Sequence, residues 1–339
     1  MGKIWLEIGF ALVVIAMLII DLGVFNKKSH EVTSKEAIVW STVWISLAMI
    51  FSGFVYYTLG FEKFTQFQSA YWIEKALSVD NLFVFILVFG FFNVAKEVQH
   101  RVLFWGVIGA LVFRAIFIFT GVELINLTYL PEMTLFGQSV KLNVLLTLFG
   151  AFLVYAGIKS ALVDEDDDEK DFSKSPGAKL VHKIFGKRVT KEFEGDKFFV
   201  KREETVSTGN FVYNVENKLV TYATPLLVVL GVIEFTDLLF AVDSIPAIFA
   251  IAPNDPFILY SSNIFAILGL RSLYFLLANF IHMFRFLKYG LAIILAFIGI
   301  KMLIAPFYHL SSPLSLGVVG GVLILSSVLS VIIPEKKKE

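Results

Sequence analysis

The chain has 339 residues, is 57% hydrophobic and 17% charged, and carries 29 basic and 29 acidic side chains. Soluble domains are about 45–50% apolar and about 25% charged, so this composition, with a mean hydropathy of +0.77, is that of an integral membrane protein. Zero net charge gives no support for attraction to nucleic acid. The lack of cysteine removes disulfides, thiolate metal sites and Cys nucleophiles together.

Nine apolar stretches approach the roughly 20 residues that a membrane-crossing helix needs. They lie near 4–25, 38–60, 70–92, 102–125, 142–163, 223–250, 257–280, 286–306 and 313–333. The first carries Lys3 and Asp21 and is followed by no small-residue cleavage site, so it reads as a retained span and not a signal peptide. Basic residues set the orientation. With the N-terminus outside, the short inner segments hold Lys27, Lys28, Lys35, Lys96, Arg101, Arg285, Lys288 and Lys336 to Lys338, against Lys3, Lys63 and Lys141 outside. N-out, C-in is the expected topology.

The connection over 164–220 is the one soluble-looking piece and is expected in the cytosol. It opens with DEDDDEKD (Asp164 to Asp171), and an acidic run of this kind is ordinarily a solvated segment. Clustered charge at a cytosolic mouth could also draw in cations, and the segment could recruit a cytosolic partner. Loose alternation through KFFVKREETVSTGNFVYNVENKL is compatible with a strand pair.

Internal repetition is the most informative feature. EKALSVDN (Glu74 to Asn81) aligns with DLLFAVDS (Asp237 to Ser244), each reading acid, five residues, then Asp preceded by Val. In the next span of each set Arg114 falls over Arg271, and in the third Lys159 falls over Lys301. Three helices therefore recur, and because three is odd the second set enters from the opposite side. The fold class expected is an all-α integral membrane protein of about nine transmembrane helices with a 3+3 inverted-topology repeat, an architecture in which sites lie near the midplane between repeats. The chain then divides into two N-terminal helices (1–69), repeat 1 (70–163), the loop region (164–220), repeat 2 (221–308) and a last helix with a basic tail (309–339).

Charge inside these spans is expensive, about 2.5–3.5 kcal/mol per group on insertion scales. Five deep acids, Glu74, Asp80, Glu234, Asp237 and Asp243, face at most three deep bases, Arg114, Arg271 and Lys75; Lys159 and Lys301 lie near helix ends and can snorkel. The surplus carboxylates must be protonated or hold a cation. With no Cys, and with the five His in or near predicted loops, the remaining donors are carboxylates, Asn81, Ser244 and carbonyls. This hard-oxygen set suits Mg²⁺, Ca²⁺ or Mn²⁺. Pro246 has no N–H for the Val242 carbonyl, and a freed carbonyl beside Asp243 is the ligand type that broken transporter helices offer to ions.

Six residues on a straight helix span about 9 Å and about 240° of turn, so Glu74 and Asp80 cannot bite one ion, nor can Asp237 and Asp243. The expected centre is Asp80 with Asp243, with Glu74 on the outer side, Asp237 on the cytosolic side, and Glu234 widening the inner approach. Arg114 and Arg271 would hold acids in place or replace the ion.

The strings IEKALSVDNLFVF, EFTDLLFAVDSIPAIFAI, NIFAILGLRSLYFLLA and LKYGLAIILAFIGIKMLI resemble the TerC family, and closely its Alx branch. The resemblance covers nearly the whole chain, apart from 164–200 and the extreme ends. It implies a bacterial inner-membrane protein of the lysine-exporter-like superfamily with Mn²⁺ export as its activity, no organic cofactor and no enzymatic reaction. The family's acidic positions fall on Glu74, Asp80, Glu234, Asp237 and Asp243. Two functional classes follow: a Mn²⁺ exporter exchanging the metal for protons through these carboxylates, or a membrane scaffold that moves nothing and recruits partners through 164–220. No Ser/His/Asp set or phosphate loop points to catalysis.

Overall fold

A computed structural model describes residues 2–25, 32–135, 138–162, 171–186, 188–207, 215–280, 286–308 and 310–333. The side chains of Asp21, Asp80 and Asp243 and most of the acidic run lie outside the described residues.

A bilayer core offers no water to backbone amides, so the apolar stretches must close their hydrogen bonds within helices. Helices coincide with all of them: α1 (Gly2–Phe25), α2 (Ser34–Leu59), α3 (Phe61–Phe91), α4 (Lys96–Leu127), α5 (Val144–Leu162), α7 (Pro225–Phe249), α8 (Pro256–Leu268), α9 (Leu270–Phe280), α10 (Leu287–Ile304) and α11 (Ser312–Ile332). Among the described residues six are long and apolar enough to cross a membrane, seven when α8 and α9 count as one bent span. Helix α3 falls outside that set because Glu62, Lys63, Glu74, Lys75 and Asp80 load every stretch of it with charge.

The bundle has a large apolar core with a cluster of buried polar groups inside it, and a greasy exterior. Trp5, Leu12, Ile19, Phe54, Leu127, Leu148, Ile324 and Leu325 face outward, whereas Ser69, Glu74, Arg114, Ser262 and Asn263 are completely buried. Apolar residues thus occupy both core and exterior, and polar groups that lipid cannot solvate turn inward.

Capping sets several boundaries. Thr33 accepts from the Glu36 amide at 3.3 Å to start α2. Asp255 accepts from the Ile258 amide at 3.3 Å ahead of Pro256, which opens α8 in the favoured first position. The other carboxylate oxygen of Asp255 pairs with Lys63 at 2.6 Å, tying the start of α8 to the start of α3.

Helices α5 and α10 pack on glycine. A Cβ at Gly157 would lie 2.7 Å from the Ala292 carbonyl and 2.8 Å from the Ala296 amide; one at Gly299 would lie 2.7 Å from both the Gly150 carbonyl and the Val154 amide. Ala292 and Ala296 precede Gly299 by the same steps as Gly150 and Val154 precede Gly157. The contact is therefore reciprocal and antiparallel, with local two-fold symmetry.

The helix break lies elsewhere than the proline suggests. Helix α7 runs through Pro246 and ends at Phe249, with the Ala250 amide still bonded to the Pro246 carbonyl at 3.2 Å. The bend is between α8 and α9, 42° about Gly269. A Cβ there would come within 2.8 Å of Lys75 Nζ and 3.2 Å of Trp44 Cβ, so a side chain at this position displaces the Lys75 ammonium. The expectation of a break at Pro246 is corrected accordingly: proline this close to a C-terminus leaves almost no helix beyond it to kink.

The 164–220 connection is more structured than a loop. Within it α6 (Pro176–Phe185) crosses α7 at a glycine pair, with Gly177 against the Gly231 carbonyl and Val181 against Gly231. The alternating stretch forms an antiparallel pair, β3 (Phe199–Ser207) with β4 (Val215–Ala223), in register from Phe199 opposite Ala223 to Ser207 opposite Val215. A short hairpin, β1 (Met133–Leu135) with β2 (Gln138–Val140), joins α4 to α5.

Candidate cation site

Arg114, in the middle of α4, is completely buried and organises the polar interior. Its Nη1 donates to Glu74 Oε1 of α3, and its Nη2 lies 3.4 Å from Asp237 Oδ1 of α7. The same Nη1 reaches Ser244 Oγ at 3.4 Å and Asn263 Oδ1 of α8 at 3.5 Å. Four helices thus meet on one guanidinium, whose planar fork can serve two carboxylates at once. Ser78, one turn after Glu74, donates to Glu74 Oε1 at 3.4 Å.

The sequence reading separates Glu74 and Asp237 across a central Asp80–Asp243 pair; the structure brings both acids to Arg114. Spacing along each helix says nothing about how α3 and α7 cross, and the long Arg side chain spans what backbone separation remains. The side chains of Asp80 and Asp243 are outside the described residues, and the structure neither pairs nor parts them.

Several buried polar atoms have no hydrogen-bond partner among the described residues: Glu74 Oε2, Glu234 Oε2, Asn81 Nδ2, Asn263 Nδ2 and Arg114 Nε. Glu234 stands one turn before Asp237 on α7, with its carboxylate directly against Gly109 of α4; a Cβ at Gly109 would overlap it. Arg271, two residues after Gly269 at the α8–α9 bend, is buried and shares with Asp237 a small cavity between α3, α4, α7 and α9.

Lys75 pairs with none of the described acids. It is buried, and its Nζ donates to the Ala266 carbonyl at 3.1 Å, three residues before the bend. Helix α8 ends at Leu268, so that carbonyl is among the last four, which lack an intrahelical partner. The adjacent residues Glu74 and Lys75 project about 100° apart on the helix, one to Arg114 and the other to the end of α8. Lys75 is a helix cap here, and its assignment as a counter-charge to the carboxylates is corrected.

Sequence reasoning missed Asn263, Ser78 and Gly109. Asn263 is an amide within the apolar run NIFAIL, a legible signal; Gly109 is one of several glycines in α4, and only packing against Glu234 distinguishes it. No group of three or more His, Asp or Glu placed to hold a metal ion occurs among the described residues, a set that omits the Asp80 and Asp243 side chains.

Comparison with known proteins agrees in one direction. Residues 59–338 match the description "Integral membrane protein TerC family". The chain is 43% identical over 332 residues to "Putative membrane-bound redox modulator Alx" of Escherichia coli K12, covering 95% of this chain and 92% of that protein. It is 42% identical to the uncharacterized membrane protein STKORF319 of Myxococcus xanthus, covering 98% and 93%, and 39% identical to an uncharacterized membrane protein of Rickettsia bellii, covering 95% and 96%. No solved structure matches. The chain is a multi-pass membrane protein and belongs to the TerC family.

Proposed function

We propose that this chain is an inner-membrane transporter of hard divalent cations that exports Mn²⁺, with Ca²⁺ or Mg²⁺ accepted by the same donor types. The observation that carries the reading is the buried Arg114 guanidinium divided between Glu74 and Asp237 while Oε2 of Glu74 and of Glu234 have no partner among the described residues. Glu74, Asp237 and Glu234 carry more negative charge than Arg114 alone offsets, and an entering M²⁺ competes with Arg114 and the neighbouring Arg271 for them. Arg114 then acts as an internal stand-in, holding the acids when no ion is present and yielding them when one arrives. Protons exchanging on the same carboxylates provide the counter-flow.

The reciprocal α5–α10 contact supports the inverted 3+3 arrangement, since antiparallel mates related by a two-fold in the membrane plane pack in this way. The N-out, C-in topology puts the N-terminus of α7, with Glu234, nearer the cytosol. The relatives' name speaks of redox modulation; any such role in this chain would proceed without thiols.

The test is divalent-ion flux in proteoliposomes, comparing Mn²⁺ with Ca²⁺ and Mg²⁺ across an imposed pH gradient. Wild-type protein moves Mn²⁺, and Asp80→Asn with Asp243→Asn abolishes the movement. Oriented, folded protein that moves no divalent ion refutes transport and leaves a scaffold that works through 164–220.

A further inference from the structure

Two cavities lie one turn apart along α3, α4 and α9, and Tyr274 lines the outer one. The inner one is a void of about 10 Å³, room for about one water, bounded by Leu82 and Phe85 of α3, Leu103 and Gly106 of α4, and Asp237 and Arg271. The outer one, about 500 Å³, lies one turn further along each helix, beside Ile86 and Phe89, Lys96 and Gln99, and Tyr274 and Phe275. It opens at the end of the bundle that holds the α3–α4 turn, the cytosolic end by the distribution of basic residues. On the wall of the outer cavity, three residues after Arg271, Tyr274 is 2% exposed and donates its hydroxyl to Gln99 Oε1 at 2.9 Å. Gln99 Nε2 is in turn anchored on the Val94 carbonyl at 3.0 Å. The Tyr274 ring also meets Phe89 edge-on at 5.5 Å.

The far end is closely packed with aromatic rings. Phe10, Phe51, Phe257 and Phe265 pack ring against ring there, with centroids 4.8 to 6.5 Å apart, and the Lys63–Asp255 pair staples α3 to α8.

The structure assigns to Tyr274, held by Gln99 and Phe89, the role of an inner gate on an aqueous path from the cytosolic cleft to Asp237 and Arg271. This deepens the transport reading above and rests on it for what passes, since the path ends on the candidate site. The gate joins α9 to α3 and α4, so movement of the bent α8–α9 span would part Tyr274 from Gln99 and connect the two cavities. Neither residue carries charge: the gate blocks by volume and one hydrogen bond, while the acids beyond it select the ion.

Thiol accessibility tests this directly, because the chain has no cysteine of its own. Ala278→Cys places a thiol in the outer cleft, and Leu103→Cys places one in the inner void. Each is reacted with a small membrane-impermeant thiosulfonate in inside-out vesicles, alone and combined with Tyr274→Phe or Tyr274→Ala. Ala278→Cys reacts rapidly and equally in every background, which shows that the variants are folded. Leu103→Cys reacts slowly alone, faster with Tyr274→Phe, and about tenfold or more faster with Tyr274→Ala, the scale of losing a hydrogen bond and a ring. A Leu103→Cys rate indifferent to Tyr274→Ala, or faster modification in right-side-out vesicles, overturns the gate. The readout needs no transported ion. Labelling as expected with no divalent flux keeps the path and removes the transport reading; flux with Tyr274-independent labelling does the reverse.

Discussion

Replacing Arg114 with Met keeps much of the side-chain volume and removes the charge that Glu74 and Asp237 share. Glu74 and Arg114 are fully buried and Asp237 is only 5% exposed, so water cannot take over as compensator. Breaking a buried pair by removing one partner costs about 3–5 kcal/mol. An uncompensated carboxylate at membrane depth costs about 2.5–3.5 kcal/mol on insertion scales, a consistent size for one net charge exposed. The triple variant Arg114→Met/Glu74→Gln/Asp237→Asn removes all three charges at once and should recover at least half of that loss, because amides do not repel one another. Arg114→Lys keeps the charge but lacks the planar fork and should fall between. Thermal unfolding in detergent, read by intrinsic Trp fluorescence with membrane abundance alongside, gives the order wild type, triple, Lys, Met. An Arg114→Met protein as stable as wild type, or a triple variant less stable than Arg114→Met, would refute the idea that Arg114 compensates these two acids.

Other expectations concern neighbouring contacts. Gly109→Ala pushes the Glu234 carboxylate off α4; the carboxylate end can swing, so stability changes by less than about 1 kcal/mol, while Mn²⁺ flux and its dependence on pH shift. Gly157→Val and Gly299→Val meet backbone, which cannot yield, so each should cost about 1–3 kcal/mol; reciprocal geometry makes the two losses similar, and a large difference in melting temperature would count against the local two-fold. Lys75→Met leaves the Ala266 carbonyl buried and unpaired, an expected loss of about 1–3 kcal/mol that Lys75→Arg partly restores, measured by the same melts. A reporter fused after Lys338 should be cytosolic; an outside signal would reverse the inner and outer ends assigned above.

Much of the architecture was legible in one dimension. Long apolar runs coincide with helices, the alternating segment before α7 pairs as strands, and Glu74, Asp237, Arg114 and Arg271 are found together in the interior because charge so costly in lipid is driven inward. Less was legible where a side chain's partner lies on another helix. Lys75 and Glu74 are neighbours in sequence with opposite charge, yet they serve different helices. Pro246 signals a break that falls too near a helix end to bend anything, while Gly269, one glycine of 23 in the chain, marks the real bend because Lys75 and Trp44 crowd it. Asn263 and Gly109 gain their importance wholly from what α8 and α4 place beside them.

Sequence alone determined that the chain lives in a membrane, where its helices run, and that charged side chains lie within its spans, since transfer into lipid is a local free energy that each segment settles by itself. The tertiary structure decided that Glu74 and Asp237 share Arg114, that Lys75 caps α8, and that Tyr274 bonds Gln99 beside the outer cleft. These depend on how helices distant in sequence cross and in what register, which packing sets for the bundle as a whole.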